Sequence, residues 1–175
     1  MATSGKITGI AYKNGAANSD YTFWADWVRN KKSDANNTSN ITVYLRIKNT
    51  AYADGAYNLD KKPTVSLKVN GAAKTPAIKI IDTRENAVST FATWTGDVSH
   101  NLDGSLTCPI VASFTHYGSN SLSSGSLSGN AKLDAIPRAS AVSLGNDSVV
   151  MGKALVINID RKSSAFTHTL RYVFG

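Results

Sequence analysis

The sequence contains no glutamine, and Glu85 is its only glutamate. Residues that favour helices are therefore scarce, whereas 20 serines, 16 threonines and 15 asparagines supply the residue types of strands and turns. A hydrophobic fraction of 42% is sufficient for a packed core, which excludes a disordered chain. The composition of these 175 residues predicts an all-β protein.

Cysteine is nearly absent as well. The single cysteine, Cys108, excludes a disulfide framework, and it lies in an apolar segment that alternates with a period of two. We therefore expect its side chain to be buried as a small hydrophobe and not to act as a nucleophile. His100, His116 and His168 have no cysteine or histidine neighbours at the spacing of metal ligands. The sequence predicts no metal, no cofactor and no catalytic residue, so we expect a protein that is not an enzyme.

The chain also lacks a long apolar run. Its first residues show no positively charged segment followed by an apolar one, and no window has the length of a membrane span. We therefore expect synthesis in the cytoplasm without a signal peptide, and no insertion into a membrane.

Nineteen lysines and arginines outnumber twelve acidic residues and leave a net charge of +7. This charge suits an anionic partner such as a nucleic acid, a teichoic acid or a membrane face. The basic residues are scattered, however, and the densest run, residues 29–32, is predicted to be a solvated loop. Since no basic stripe is interleaved with aromatic residues, we expect no nucleic-acid partner and attribute the charge to solubility.

Period-two alternation runs through most of the chain and is typical of strands with one face on a core. Ile41, Val43, Leu45 and Ile47 alternate with polar residues and predict a half-buried strand. Similar patterns predict strands near residues 7–12, 21–27, 65–69, 76–81, 88–94 and 106–114, and a serine-rich edge strand within residues 119–133. Seven or eight short strands without helices predict an antiparallel β-sandwich, immunoglobulin-like or jelly-roll-like.

Two turn signals predict hairpins. The Asn70-Gly71 pair is expected to fold the preceding strand back onto residues 76–81. The Asp103-Gly104 pair is expected to join the strands on either side of it in a second hairpin.

A domain boundary is predicted after residue 136, where Pro137 interrupts the strand ladder and a new alternating series begins. Residues 1–136 are expected to form the first sandwich, and residues 137–175 the first strands of a second β module. Three strands can rarely bury two faces alone, so we expect this module to be truncated. Its strands are predicted near residues 142–144, 153–159 and 166–174.

One aromatic residue is out of phase with the predicted core. Trp24 shares its face with Asp26, while Phe23 and Trp27 point to the other face. An aromatic ring on a polar face suits sugar recognition, because the ring packs on the apolar face of a pyranose while polar side chains bind its hydroxyls. We expect a ligand-binding site at Trp24, Asp26 and Tyr44. The alternatives are that both faces of this strand are buried, or that a neighbouring subunit covers Trp24.

Three segments resemble a known family: WTGDVSHNLDGS at residues 94–105, LSG and LDAIPRAS within residues 127–140, and FTHTLRYVFG at residues 166–175. Their combination resembles minor structural proteins of long, non-contractile-tailed phages of Gram-positive bacteria, which lie at the tail tip or baseplate. The resemblance extends from the first predicted strand to the last residue. It implies a β-sandwich followed by further β modules, and it supplies no catalytic motif.

The resemblance implies a non-enzymatic component of the virion tail, which acts as a structural and host-adhesion module. We expect a homo-oligomer in contact with other tail proteins, since tail assemblies are symmetric. A carbohydrate-binding, lectin-like domain that recognises host cell-wall polysaccharide is the alternative, and a fragment of a cell-wall hydrolase is a third.

Overall fold

The computed structural model of the chain describes residues 3–51, 61–116, 122–138, 140–145, 151–161, 169 and 171. Within these ranges there is no helix, and hence none that could span a membrane. The strands in the same ranges are β1 (Ser4–Thr8), β2 (Ile10–Lys13), β3 (Ala16–Ala17), β4 (Tyr21–Ser33), β5 (Thr38–Asn49), β6 (Thr64–Val69), β7 (Ala72–Lys74), β8 (Ala77–Ile78), β9 (Val88–Ser99), β10 (Leu106–Thr115), β11 (Ser124–Leu133), β12 (Ala141–Leu144) and β13 (Ile157–Asp160).

Eleven of these strands form two large antiparallel sheets. The five-stranded sheet has the order β1-β4-β5-β9-β8, and the six-stranded sheet has the order β3-β2-β11-β10-β6-β7. Buried side chains from both sheets belong to one hydrophobic cluster, so the sheets pack face to face. The predicted all-β class and antiparallel β-sandwich are confirmed. An immunoglobulin-like or jelly-roll-like strand order stays a prediction.

Three phenylalanines lie at the centre of the core. Phe23 and Phe91 come from the five-stranded sheet, Phe114 comes from the six-stranded sheet, and all three are at most 1% exposed. The Phe114 ring centre lies 5.1 Å from that of Phe23 and 5.0 Å from that of Phe91, both in edge-to-face geometry. Such pairs add about 0.5–1.5 kcal/mol each to the burial of the rings, and here they join the two sheets.

Two long strands, β4 and β5, pair in the five-stranded sheet, and β5 is its central strand. On β5, Ile41, Val43, Leu45 and Ile47 are each at most 1% exposed, which confirms the strand and the buried face predicted from alternation. The predicted loop at residues 29–32 is wrong, because these residues belong to β4 and pair with β5 across a bulge. The lysines there face solvent, as they would in a loop. The composition of a charged strand end therefore does not distinguish it from a loop.

The Asn70-Gly71 turn is confirmed, but the strand that follows it is shorter than predicted. Both residues have positive φ angles, 51° and 77°, as the tightest hairpin turns require. They join β6 to the three-residue β7. Pro76 has no N–H for the ladder, and the chain crosses there to the other sheet, where β8 pairs with β9. The expectation that residues 76–81 pair with β6 is therefore wrong.

The hairpin predicted at Asp103-Gly104 is also wrong, since β9 and β10 lie in different sheets. The turn itself exists, with the Gly104 N–H donating to the Asn101 carbonyl at 2.8 Å. The Gly104 carbonyl accepts from the Ile136 N–H at 2.9 Å, and it lies 2.8 Å from Nδ1 of His100. The long-range bond from Ile136, together with these local bonds, holds the turn as an arch between the sheets, which a local turn signal cannot distinguish from a hairpin.

The serine-rich segment forms a strand, as predicted, but not an edge strand. β11 lies between β2 and β10 in the six-stranded sheet. Its small residues have a packing reason, because a Cβ at Gly129 would lie 2.6 Å from Cγ2 of Ile7, and one at Gly125 would overlap the Phe114 ring. The glycines therefore reflect large side chains opposite the strand, whereas Ser126 and Ser128 lie on its exposed face.

After residue 136, β12 and β13 pair as a small two-stranded antiparallel sheet, with Leu144 opposite Ile157. The strand predicted at residues 166–174 lies outside the described residues, apart from Thr169 and Arg171. The boundary near Pro137 and the start of a second, truncated sandwich stay predictions.

Candidate binding face of the five-stranded sheet

Side chains from β1, β4 and β5 lie together on the outer face of the five-stranded sheet. Lys6 lies opposite Asp26, and Asp26 lies opposite Tyr44. In the next row Trp24 lies opposite Arg46. Residues two positions apart share a face, and neighbouring strands lie about 4.8 Å apart, so these side chains form one patch. We call these five residues the outer patch.

Asp26 joins the members of the outer patch. Its Oδ2 accepts a hydrogen bond from Nε1 of Trp24 at 2.9 Å and lies 3.1 Å from Nη1 of Arg46. The Arg46 guanidinium also lies 5.2 Å from the centre of the Tyr44 ring. The Arg46 and Asp26 side chains are 34% and 26% exposed, so water screens the ion pair, and it stabilises the fold by about 1 kcal/mol or less. The same exposure leaves both groups accessible to a ligand.

Trp24 is not the solvent-facing ring that we expected. The residue lies on the outer face, as the alternation predicts, but it is only 7% exposed. Nζ of Lys6 lies 4.3 Å from the ring centre, and Asp26 holds the indole N–H. The expected exposure is therefore wrong, and the structure agrees with the alternative in which both faces of β4 are buried at this point. The cover comes from the neighbouring strand β1.

A shallow groove of ≈ 390 Å³ lies beside the outer patch. Two of the three residues predicted to bind a ligand, Asp26 and Tyr44, line it, whereas Trp24 does not. Trp24 acts on the groove indirectly, by holding Asp26. Ligand binding by these residues stays a prediction. The groove is lined by Ser4, Gly5, Lys6, Asp26, Trp27, Val28, Tyr44 and Arg46.

Lys6 and Arg46 are not among the site residues predicted from the sequence. Arg46 follows Tyr44 by two positions in the same strand, so the alternation already places both on one face. Lys6 carries no comparable signal, because its place beside Asp26 depends on the pairing of β1 with β4.

A second concavity lies on the same face, near the turn between β4 and β5. It has a volume of ≈ 300 Å³, and we call it the tip cleft. Nδ2 of Asn40 donates to Oδ1 of Asp97 at 2.6 Å within it. Nδ2 of Asn30, the extra residue of the bulge, donates to Oδ1 of Asn40 at 2.8 Å and to Oγ1 of Thr42 at 2.9 Å. The tip cleft is lined by Lys31, Lys32, Ser33, Asn36, Thr38, Asn40 and Asp97.

A buried Ser39 and His100 pair has the form of a nucleophile and a base. Oγ of Ser39 lies 2.8 Å from Nε2 of His100, and Nδ1 of His100 lies 2.8 Å from the Gly104 carbonyl oxygen. A carbonyl only accepts, so Nδ1 carries the proton that it donates. Ser39 is 0% exposed, and a nucleophile must be reachable by its substrate. The pair therefore holds the arch at Gly104 to β5.

Two other reactive side chains are also buried. Cys108 is 0% exposed, and burial raises the pKa of its thiol. His116 is 4% exposed, and burial lowers its pKa, against a smaller effect of the Lys61 backbone that raises it. In the part of the chain that the structure describes, no three histidine, cysteine or acidic residues are grouped as metal ligands. The expectation of a protein that is not an enzyme stays a prediction.

Comparison with known proteins identifies the family. A family model described as "Siphovirus protein of unknown function (DUF859)" matches residues 16–175. The match covers most of the chain, so the chain belongs to this siphovirus family. Neither the curated proteins nor the solved structures give a match. The predicted relation to siphophage proteins is confirmed, while the tail tip, the baseplate and the Gram-positive host stay predictions.

Proposed function

We propose that this siphovirus protein is a non-enzymatic structural component of the virion, located at the tail tip or baseplate, and that it also contributes to adhesion to the host cell. The observation that carries the adhesion role is the groove beside the outer patch. It brings a half-buried aromatic ring, Tyr44, next to charged and hydrogen-bonding groups of Asp26, Arg46 and Lys6. Such a combination suits saccharides, which offer apolar ring faces and hydroxyls together.

The packing of the sandwich supports a structural role. The three-phenylalanine cluster joins the two sheets. The arch at Gly104 is linked to residue 136 directly and to β5 through His100 by hydrogen bonds. The reactive side chains Cys108 and Ser39 are buried within this core. A rigid sandwich with a polar outer face is a suitable building block for a symmetric assembly. We therefore also propose a homo-oligomer that contacts other tail proteins.

The second candidate is a carbohydrate-binding domain that recognises host cell-wall polysaccharide. The arrangement of Asp26 and Arg46 beside Tyr44 favours it, because the ion pair is held in place by Trp24 and needs little ordering when a ligand binds. In this second candidate function, the same groove binds the polysaccharide without assembly of the chain into a tail.

Two measurements on the full chain test the proposal. Mass spectrometry of purified virions should detect the chain, and its absence from virions would contradict the structural role. Sedimentation with purified host cell walls should show binding that Tyr44→Ala weakens about tenfold or more, as expected for an aromatic anchor. Tyr12→Ala is the matched control, because Tyr12 is a half-buried tyrosine on the other sheet. Equal binding by both variants would contradict the adhesion role of the groove.

A further inference from the structure

We propose that the groove and the tip cleft are two subsites for one extended anionic polymer of the host cell wall. This inference rests on the proposed adhesion role and adds the chemical class of the ligand and a second contact region. It concerns residues of the tip cleft that the sequence analysis did not include.

The two concavities lie along one strand on one face. Asn40 lines the tip cleft, and Tyr44 lines the groove, four residues further along β5. A strand rises about 3.3 Å per residue, so the two positions lie about 13 Å apart. Thr42 lies between them, and its Oγ1 accepts from Asn30 and lies 2.9 Å from Oγ1 of Thr95. Thr42 itself is only 6% exposed, and the exposed Val28 lies opposite it on β4, so a short stretch of surface with one apolar side chain separates the two concavities.

The charges of both concavities favour an anionic chain. The groove has Lys6 and Arg46 against Asp26, and the tip cleft has Lys31 and Lys32 against Asp97. Both carboxylates are already engaged within the protein, Asp26 by Arg46 and Trp24, and Asp97 by Asn40. Beside the tip cleft, Nζ of Lys32 also lies 3.9 Å from Oδ1 of Asp34, and Nη1 of Arg138 donates to the Asp34 carbonyl at 2.9 Å. With Asp34 and Arg138 counted, the tip cleft keeps an excess of one positive charge, as the groove does, in a chain whose net charge is +7.

The geometry favours a wall polymer over a nucleic acid. Binding of single-stranded nucleic acid requires several aromatic rings on which successive bases stack. On this face Lys6 covers Trp24, and among the lining residues Tyr44 presents the accessible ring. A polymer of repeating sugars or polyols with charges at intervals instead matches one ring and two separated cationic regions.

Two subsites on one polymer predict a dependence on ligand length. Once the first subsite is occupied, the second is filled by the same molecule at high effective concentration. A ligand that spans both subsites should bind at least about tenfold more tightly than one that fills a single subsite. Rising salt concentration should weaken the binding, since exposed charges are screened.

The test is a titration of the full chain with fluorescently labelled dimers and octamers of two anionic classes. Glycerol-phosphate oligomers carry phosphodiesters, and oligouronates carry carboxylates, so the two arms distinguish the sources of charge. We expect the octamer of one class to bind at least about tenfold more tightly than its dimer. The double variant Lys31→Gln/Lys32→Gln should lower octamer affinity about tenfold or more, towards that of the dimer for the unaltered chain.

The matched control is Lys68→Gln/Lys132→Gln, which removes the same charge from exposed positions on the six-stranded sheet. Equal octamer affinities for the two double variants would overturn the proposal, as would equal affinities for dimer and octamer. Tighter binding of single-stranded DNA of matched charge would also overturn it and indicate a nucleic-acid ligand. Wall binding that needs Tyr44 but is independent of ligand length would refute this inference and leave the proposed adhesion role intact.

Discussion

Replacing Trp24 by phenylalanine tests whether this residue positions the binding face or is itself the ligand contact. The change removes the indole N–H that donates to Asp26 at 2.9 Å and keeps a ring beneath Lys6. A hydrogen bond to a charged group contributes about 1.5–3 kcal/mol, but Asp26 retains Arg46 and is 26% exposed, so water can replace the donor. We expect the free energy of unfolding to fall by about 1 kcal/mol.

Two alanine substitutions serve as references for the loss of unfolding free energy expected for Trp24→Phe. Trp27→Ala removes a ring that is 4% exposed between the sheets, so it should cost about 3–5 kcal/mol. Trp24→Ala should cost less, about 2–3 kcal/mol, because the flexible side chains of Lys6 and Arg46 can move into the space. Urea denaturation followed by circular dichroism measures all three changes.

Binding to cell walls completes this test. Trp24→Phe should weaken wall binding only severalfold, because Tyr44 and Arg46 still line the groove. Tyr44→Ala should weaken it about tenfold or more, which corresponds to about 1.4 kcal/mol, with little loss of stability. The reasoning is refuted if Trp24→Phe abolishes binding while Tyr44→Ala leaves it unchanged, since Trp24 would then be the ligand contact.

Three further predictions concern the arch and the buried reactive groups. Gly104→Ala should lower the free energy of unfolding, measured by urea denaturation, by more than about 2 kcal/mol, because φ is +82° and a Cβ would overlap the Ile136 carbonyl. The control Gly71→Ala should lower it by about 1–2 kcal/mol, because φ is +77° but the space around the residue is open. Equal losses for the two variants would contradict the arch. Burial lowers the pKa of His116, so below pH 6.5 the unfolded chain binds more protons at this residue than the native chain does. The free energy of unfolding should therefore fall as the pH decreases below 6.5, and His116→Leu should remove this part of the pH dependence. Burial raises the pKa of the Cys108 thiol, so the native chain at pH 8 should react with a thiol reagent more slowly than the unfolded chain. Similar rates would contradict the burial of Cys108.

Sequence alternation predicted the buried face of β5 but not that of β9, where Val88 is 54% exposed and Phe91, at a bulge, is buried. It also did not predict which strands pair. Ile41 and Val43 face the core because side chains in a strand alternate between its two faces, and this is a local property. The partners of β9 and β10 depend instead on long-range bonds, such as the one from the Ile136 N–H to the Gly104 carbonyl. The same Asp-Gly pair can begin a hairpin or an arch, so the local signal predicted the turn and missed its connection.

At the candidate site too, local properties were predicted from the sequence and long-range contacts were not. Alternation placed Trp24, Asp26 and Tyr44 on the outer face correctly, because all three belong to the long strands β4 and β5. It could not predict the burial of Trp24, since Lys6 reaches the ring only through the pairing of β1 with β4. The tip cleft was missed for a related reason, because its lysines follow a bulge that no composition signal marks.

Immunogold electron microscopy of intact virions tests the central claim most directly. Purified phage particles are labelled with affinity-purified antibodies raised against the full chain, and the distance of each gold particle from the head is measured. We expect labelling at the distal end of the tail. Labelling of the head, or no labelling of virions that carry the gene, would contradict a structural role at the tail tip or baseplate.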